Sequence, residues 1–332
     1  MNLKKSCKIL KKKTLNQREI IHPKNCKKLI IITGQQRSGK STLTNIVSSL
    51  KGPVNIKIDS FLDSLFRLKR LKLINNKILL NLFQICINNL MIDSSIGRNL
   101  NFKKNEESSV WNTSDPNFYL KKIKKNFNKE QIKKVLLKEN EITLVLHGFL
   151  EFINFLPKNL YKLKIINVYA HPVDQIFSMY KSKTNFNIDN LSREPIYLFN
   201  KRKYCRSVDL EKKFIKLNLM QKILLIKRQC DLKEKKASKN QKFINIFYDD
   251  LILKSNNNID LISKFLGKKK TKLTKKKMKL KETINRKKFL LFKKRQERLD
   301  FINSKLKNKY YKKILKKMII NFNNKNVQSE NI

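Results

Sequence analysis

One short stretch carries residues whose types and spacing suit the binding of a phosphate group. Gly34, Gly39, Lys40 and Ser41 fall in the order G-x-x-x-x-G-K-S. In this pattern two glycines let the backbone curl so that successive N–H groups point at one anion, while the lysine adds positive charge. The serine hydroxyl can bind a phosphate oxygen or a Mg²⁺ ion. The stretch predicts a loop that binds a phosphate-bearing nucleotide, and the alternative is a glycine-serine turn that matches by chance.

The sequence on either side of this loop predicts a strand before it and a helix after it, as in phosphate-binding loops. Residues 29–33 are β-branched or apolar and predict a buried strand. Leu43, Ile46, Val47 and Leu50 follow at helical spacing. A strand before the loop and a helix after it place the N–H groups at a helix N-terminus, where anions are stabilised.

Further strands follow along the chain. The segments that predict them are 54–58, 142–146, 163–169 and 243–248. Helical segments alternate with them, among them 60–92, where Ile78 and Ile85 are expected in a core helix. This alternation predicts an α/β protein with three layers, in which helices cover both faces of a central parallel sheet of about five strands. In such sheets ligands bind at the carboxyl ends of the strands, where the loop lies.

The charge of the chain is strongly positive. Its 332 residues include 77 Lys and Arg against 25 Asp and Glu, which gives a formal net charge of +52. Such a field attracts nucleic acids, anionic membranes and acidic substrates. Lys, Asn and Ile have A/T-rich codons and are abundant here, so genome composition explains part of the basicity.

Cysteine usage and hydropathy restrict the compartment. The five cysteines are scattered, odd in number and without C-x-x-C spacing, which favours neither disulfides nor a zinc site: Cys7, Cys26, Cys86, Cys205 and Cys230. The basic N-terminus has no apolar run of a secretory signal, and no window is long and apolar enough for a membrane span. These features predict a cytoplasmic protein.

Composition also suggests how the chain is divided. Residues 1–27 are expected to be a basic leader and residues 28–268 the α/β domain. Within that domain, 93–130 is polar and is expected to be an insertion or a flap. Residues 269–332 are expected to be a lysine-rich tail, helical or disordered, which could contact a polyanion.

Three segments, in the same order and spacing, resemble the sulfotransferase family that uses 3′-phosphoadenosine 5′-phosphosulfate (PAPS). The loop with Arg37-Ser38-Gly39 is similar to the family's R-S-G-T-[ST] loop. Residues 170–180 resemble its R-[DN]-P-x-D-x-x-x-S-x-Y segment. Residues 247–251 and 262–267 are similar to its Y-E-D-L and I-x-x-F-L-G pair. The resemblance spans about residues 28–268 and implies a P-loop fold, PAPS as sulfuryl donor and no metal.

The resemblance also implies roles for individual residues. Those expected to hold the 5′-phosphosulfate are Arg37, Ser38, Gly39, Lys40, Ser41 and Thr42. Lys40 would also stabilise charge as the sulfuryl group leaves. Ser178 would bind the 3′-phosphate, and Tyr248 would contact the adenine ring. As ordinary structural residues, Ser178 would be a helix-surface serine and Tyr248 a core tyrosine.

The acceptor, expected to be a hydroxyl or amine on a small molecule or a glycan, needs a base. His147 ends a predicted strand about where several relatives carry a catalytic histidine, and an imidazole suits the role. Its alternative is a core or loop histidine. Glu151 is a second candidate base, since other relatives use Glu. His171 could instead meet the 3′-phosphate.

Two departures from the family pattern leave other functions open. Lys40 replaces the usual Thr, so the loop also fits nucleoside triphosphates, and Ala170 replaces the Arg that binds the 3′-phosphate. Charge could come instead from Lys268–Lys270, Arg202 or Arg206.

An ATP-dependent kinase is therefore one alternative. It would need Mg²⁺ held by an acidic residue such as Asp59. A non-enzymatic nucleic-acid binder is the other alternative, although no recognisable reader motif is present.

Overall fold

The structure is a computed structural model of the 332-residue chain. It describes residues 26–52, 56–157, 160–182, 197–199, 202–204, 216–237, 243–253, 255–285 and 288–330. The predicted leader therefore lies almost wholly outside the described residues, as does Arg206.

A five-stranded parallel sheet forms the centre of the molecule. Its strands, in chain order, are β1 (Lys28–Gly34), β2 (Ile56–Lys57), β3 (Glu141–His147), β4 (Lys162–Tyr169) and β7 (Phe243–Phe247). Across the sheet the order is β2-β3-β1-β4-β7. Two short strands, β5 (Tyr197–Phe199) and β6 (Arg202–Tyr204), form a separate antiparallel pair. The sequence prediction of a parallel α/β sheet is thus confirmed.

Helices cover both faces of the sheet. In the described residues they are α1 (Lys40–Ser48), α2 (Ser60–Arg70), α3 (Asn76–Ser95), α4 (Pro116–Ile123), α5 (Lys129–Lys138), α6 (Pro172–Ser182), α7 (Leu219–Ala237), α8 (Tyr248–Leu253), α9 (Ser255–Leu266), α10 (Lys272–Asn285), α11 (Lys288–Lys305) and α12 (Lys309–Glu330). Two 3₁₀ helices cover Val110–Asn112 and Phe149–Phe155. None of the helices in this part of the chain is long and apolar enough to cross a bilayer.

The side chains of β1 point alternately to the two faces of the sheet, which explains the three layers. Leu29 and Ile31 lie in a core with α2, α3 and the second 3₁₀ helix, whereas Ile30 and Ile32 lie in a core with α1 and α9. Successive side chains of a strand point to opposite faces, so a continuous apolar run fills both cores. Every residue from Leu29 to Ile32 is at most 1% exposed.

The prediction that Ile78 and Ile85 lie on the buried face of a core helix was wrong. Residues 60–92 form two helices, separated after Arg70, and Ile78 and Ile85 are each 43% exposed. The buried positions of α3 include Leu79 and Phe83. A helix this rich in Leu and Ile offers several apolar stripes at nearly the same spacing, so composition alone does not select the one that meets the core.

The lysine-rich C-terminal segment packs against the α/β core. Ile302, Leu306 and Leu315 form a third cluster of buried residues with apolar side chains of α6 and α7. In α12 the exposed lysines lie on the face opposite this buried stripe. Charged helices therefore use one apolar stripe for packing and keep their lysines in water.

The predicted polar insertion at 93–130 holds a 3₁₀ helix and α4. It is attached to α1 through Asn112, whose carbonyl oxygen accepts hydrogen bonds from Ser48 Oγ at 3.1 Å and from Lys277 Nζ at 3.1 Å. Trp111 packs against Phe102, and its indole N–H donates to the Phe102 carbonyl oxygen at 3.1 Å. This segment therefore packs against α1 and α10.

Candidate active site

Residues 34–41, here called the glycine loop, connect β1 to α1 at the centre of the sheet. Gly34 and Gly39 have φ angles of +144° and +94°. A Cβ atom on Gly39 would lie 2.1 Å from the ring of Tyr248, and one on Gly34 would lie 2.5 Å from the Val168 carbonyl oxygen. Both positions therefore require glycine, as the sequence pattern predicts.

The Lys40 side chain folds back over the loop. Its ammonium group donates to the carbonyl oxygens of Gly34 at 3.0 Å and Gln35 at 2.7 Å, and the residue is 6% exposed. The charge is thus held beside the N-terminus of α1, where no side chain caps the helix in the described residues. A helix N-terminus and a fixed ammonium group together suit an anion.

Ser38 supplies an observation that bears on whether a ligand fits here. Its hydroxyl is buried and has no hydrogen-bond partner among the described residues. A buried polar group without a partner costs about 1–3 kcal/mol, so a ligand oxygen that pairs with it would recover that free energy. Arg37 and Ser41 are exposed at the rim of the loop, and Thr42 is partly exposed in α1. The loop's glycines, its helix N-terminus and Lys40 therefore suit an anion such as a phosphate group.

His147 ends β3 directly beside the glycine loop. It is the register partner of Gly34, and the next residue, Gly148, donates its N–H to the Gly34 carbonyl oxygen at 3.2 Å. The imidazole Nδ1 lies 2.8 Å from Asp63 Oδ2, and the His147 backbone N–H donates to Asp63 Oδ1 at 3.1 Å. A carboxylate only accepts, so Nδ1 of His147 carries a proton in this contact.

A cavity of about 80 Å³ lies between this histidine, the glycine loop and the helical layer. Gln35, Gln36 and His147 form its floor, and Arg67 of α2 and Lys227 of α7 bring positive charge to its wall. Its apolar lining comes from Phe66, Met179 and Ile226. His147 and two residues of the glycine loop, Gln35 and Gln36, therefore line one partly open cavity.

Glu151, the second candidate base, has a different environment. Its carboxylate forms ion pairs with Arg70 at 2.6 Å and with Lys233 at 3.0 Å. Two cations hold it between α2 and α7, and it does not line the cavity. This geometry favours His147 over Glu151 as the base.

A pair of carboxylates next to the glycine loop was missed by sequence reasoning. Gln35 Nε2 donates to Asp231 Oδ1 at 2.7 Å, and Lys227 Nζ pairs with the same oxygen at 2.5 Å. Glu234 lies one turn further along α7, where burial and the nearby Asp231 raise its pKa to about 7. The helical periodicity of α7 places these groups together, but nothing in the sequence indicates that they meet Gln35.

Ser178 lies on α6, whose N-terminal half is held by the C-terminal helices. Asp174, one turn before Ser178, pairs with Arg295 at 2.6 Å and Arg298 at 2.6 Å. Arg295 also pairs with Asp249 at 2.8 Å. Two guanidinium groups from α11 thus lie beside α6 at Asp174, and neither contact was predicted from the sequence.

His171 does not supply charge here. It is 8% exposed, its Nδ1 accepts from the Val173 N–H at 3.3 Å, and its ring packs against Phe322. Burial and the nearby Arg295 lower its pKa to about 4. The ring is therefore neutral near pH 7, which argues against a contact of His171⁺ with a phosphate.

The lysines proposed to replace the missing arginine lie elsewhere. Lys268 pairs with Glu141 at 2.8 Å, and Glu141 begins β3, at the end of the strand opposite His147. Lys270 pairs with Asp260. These contacts argue against the Lys268–Lys270 hypothesis, and the side chain of Arg202 lies outside the described residues.

Tyr248 and Asp59 have defined local roles. Tyr248 begins α8, and its ring lies directly on Gly39 at the mouth of the loop. Asp59 caps α2, where Oδ1 accepts from the N–H groups of Phe61 at 2.7 Å and Leu62 at 3.2 Å. Within the described part of the chain, no group of three or more His, Cys, Asp or Glu residues is placed to hold a metal ion.

Comparison with known proteins adds no assignment. No family model matches the chain, and no curated protein matches it significantly.

Proposed function

We propose that this protein is a sulfotransferase that moves a sulfuryl group from PAPS to a hydroxyl or amine acceptor. The observation that carries the proposal is the Asp63–His147 pair beside the glycine loop. A glycine loop suited to an anion, and beside it an imidazole that Asp63 orients toward a cavity, are the two parts that such a transfer needs. A kinase of similar architecture would need a carboxylate to hold Mg²⁺, and the carboxylate at this strand end, Asp63, is engaged by His147.

The residues of the chain have separable tasks in the proposed reaction. His147 Nε2 accepts the proton of the acceptor group as that group's oxygen or nitrogen bonds to sulfur. Bound PAPS supplies the sulfuryl group, and its bond to the 5′-phosphate oxygen breaks. Lys40 and the N–H groups at the start of α1 stabilise the charge that develops on that oxygen. His147 then releases its proton to solvent.

The C-terminal helices have a part in this proposal. Arg295 and Arg298 bring positive charge to α6 one turn from Ser178, although Asp174 and Asp249 neutralise much of it. We place the 3′-phosphate near Ser178 and Arg298, because Arg298 is the more exposed of the two, at 29% against 12%.

The acceptor group must be small where it reacts. The cavity volume of about 80 Å³ admits a hydroxyl or amine with few neighbouring atoms, and its wall carries both apolar and cationic side chains. A small molecule or the end of a glycan meets this requirement. The exposed lysines of α12 would favour an acceptor or partner that is a polyanion.

The proposal is tested by turnover. Purified protein is mixed with PAPS and a panel of phenols, alcohols, amines and glycans, and release of 3′-phosphoadenosine 5′-phosphate is measured. Acceptor-dependent release that His147→Ala lowers by about 10²–10⁴-fold is expected. Release that His147→Ala leaves unchanged would contradict the assigned base.

A Mg-ATP phosphotransferase is the second candidate. Lys40 and Ser41 satisfy the nucleoside-triphosphate pattern, and Asp231 and Glu234 place carboxylates near Gln35. These features favour it more than they favour nucleic-acid binding, which rests on net charge alone.

A further inference from the structure

Two helices contact the glycine loop with side chains of their own. On α6, the side-chain amide of Gln175 donates to the Gln36 carbonyl oxygen at 2.5 Å. The ring of Tyr248, which begins α8, lies so close to Gly39 that a Cβ atom there would be 2.1 Å from it. The loop is therefore contacted at two backbone positions, one near its middle and one where α1 begins.

Arg37, which lies between these two contacts, has an unusual backbone conformation. Its φ angle is +61°, in the left-handed region that residues other than glycine seldom adopt. Such conformations persist where the surrounding structure imposes them. The contacts at Gln36 and Gly39 lie on either side of Arg37, so the shape of the loop depends on α6 and α8 staying in place.

Arg295 of α11 joins those two helices. Its Nε and Nη2 atoms donate to Asp174 Oδ2 at 2.8 Å and 2.6 Å. Its Nη2 also donates to the two carboxylate oxygens of Asp249 at 3.0 Å and 2.8 Å. Asp174 directly precedes Gln175 on α6, and Asp249 directly follows Tyr248 on α8. Each carboxylate that Arg295 binds is therefore one residue away from a side chain that contacts the loop.

The charges explain why an arginine is needed at this point. The side chains of Asp174 and Asp249 are 17% and 14% exposed, and that of Arg295 is 12% exposed. Burial raises the pKa of Asp249, Arg295 lowers it, and the nearby Asp174 raises it. The two carboxylates therefore repel each other across a short distance, and the planar guanidinium group binds both in a fixed geometry. Without Arg295 their repulsion would favour separation of α6 from α8.

We propose that Arg295 is a positioning residue that holds the glycine loop in its nucleotide-binding shape by fixing α6 and α8 relative to each other. Arg295 belongs to the lysine-rich C-terminal segment, 269–332, so this segment takes part in nucleotide binding through α6 and α8. This role rests on nucleotide binding at the glycine loop, as proposed above, but it does not depend on which nucleotide binds.

The test measures nucleotide affinity on the full chain by calorimetry. The natural protein, Arg295→Met and Arg295→Lys are each titrated with 3′-phosphoadenosine 5′-phosphate and, separately, with ATP and Mg²⁺. Arg295→Met is expected to weaken binding by about tenfold to a hundredfold, because the loop is misplaced. Arg295→Lys keeps the charge but not the planar fork, so its affinity is expected to lie between the two.

Hydrogen exchange gives a second readout in the same variants. The backbone N–H groups of residues 36–39 are expected to exchange faster in Arg295→Met than in the natural protein, because the loop opens more easily. If Arg295→Met does not fold, Asp249→Asn tests the same bridge, since it keeps the shape of the side chain and removes its charge. Asp249→Asn is also expected to weaken nucleotide binding.

Lys122→Met is the matched control for general loss of stability. Lys122 pairs with Glu139, and its side chain is only 8% exposed. Glu139 lies just before β3, at the end of that strand opposite His147 and the glycine loop. Loss of this pair should lower the free energy of unfolding but leave nucleotide affinity and hydrogen exchange at residues 36–39 unchanged.

The outcomes separate this role from the proposed function. If 3′-phosphoadenosine 5′-phosphate binds and Arg295→Met does not weaken it, the positioning role is overturned and the proposed function stands. If only Mg-ATP binds and Arg295→Met weakens it, the positioning role is supported and sulfuryl transfer is contradicted. Equal weakening by Arg295→Met and Lys122→Met, or binding of neither nucleotide, would overturn the positioning role.

Discussion

Asp63 and His147 are joined by two hydrogen bonds although 84 residues separate them in the chain. The carboxylate of Asp63 accepts from the imidazole and from the backbone N–H of the same histidine. This double contact fixes both the position of the strand end and the orientation of the ring. A base oriented in this way needs less reorganisation when substrate binds.

Asp63→Asn should separate orientation from nucleotide binding. An amide can donate to Nδ1 and so favour the tautomer whose proton lies on Nε2, which cannot act as a base. We expect turnover to fall about 10²–10⁴-fold, while the affinity for 3′-phosphoadenosine 5′-phosphate stays within about twofold. Steady-state assays and calorimetry on the same preparation measure the two quantities.

Asp260→Asn is the matched control for that substitution. Asp260 is 59% exposed and pairs with Lys270, so its loss should leave turnover unchanged. Equal loss of turnover in the two variants would contradict the claim that Asp63 orients the His147 base.

Gly39→Ala should destabilise the fold through two effects. The backbone at φ +94° is strained for alanine, and the new methyl group would lie 2.1 Å from the Tyr248 ring. Gly148→Ala is the matched control, because Gly148 has φ +63° and a methyl group added there would meet nothing within 4 Å, so only the strain of about 1–2 kcal/mol applies. Denaturant unfolding should show the larger loss for Gly39→Ala, and equal losses would mean that Tyr248 does not lie on the loop.

Glu234→Gln should change how stability depends on pH. Burial and the nearby Asp231 raise the pKa of Glu234 from 4.5 to about 7. Between these values the unfolded chain loses this proton and the folded chain keeps it, so this group lowers stability as pH rises. The variant lacks this effect, so its stability relative to the natural protein should increase by about 2–3 kcal/mol from pH 4.5 to pH 7.5.

Denaturant unfolding at several pH values measures that difference. His171, whose pKa is lowered to about 4, contributes the opposite slope over part of the same window. The comparison of variant with natural protein cancels the His171 contribution. A pH-independent difference would show that Glu234 ionises normally.

The sheet could be predicted from the sequence because its strands are short β-branched or apolar runs separated by helical patterns. The apolar runs at 29–33 and 142–146 became the buried parts of β1 and β3. The glycine loop was recognised for a similar reason, since Gly34 and Gly39 occupy positions that accept no other residue without strain or clash.

The partners of the site could not be predicted, because they depend on packing between distant segments. Asp63 and Asp231 are single acidic residues on helices, with no spacing relation to His147 or Gln35. Arg295 lies in a lysine-rich segment, and nothing in that composition indicates that this half-buried arginine pairs with Asp174 and Asp249. Lys268 shows the opposite case: the sequence suggested it as a phosphate ligand, but it pairs with Glu141 at the N-terminal end of β3, away from the glycine loop.

The most direct test of the central claim is nucleotide binding measured by calorimetry on the purified full chain. Binding of 3′-phosphoadenosine 5′-phosphate without metal is compared with binding of ATP with Mg²⁺, and both are repeated with Lys40→Ala and Ser178→Ala. The account predicts metal-free binding of the bisphosphate that both substitutions weaken. Preference for Mg-ATP, with Ser178→Ala without effect, would contradict sulfuryl transfer and favour a phosphotransferase.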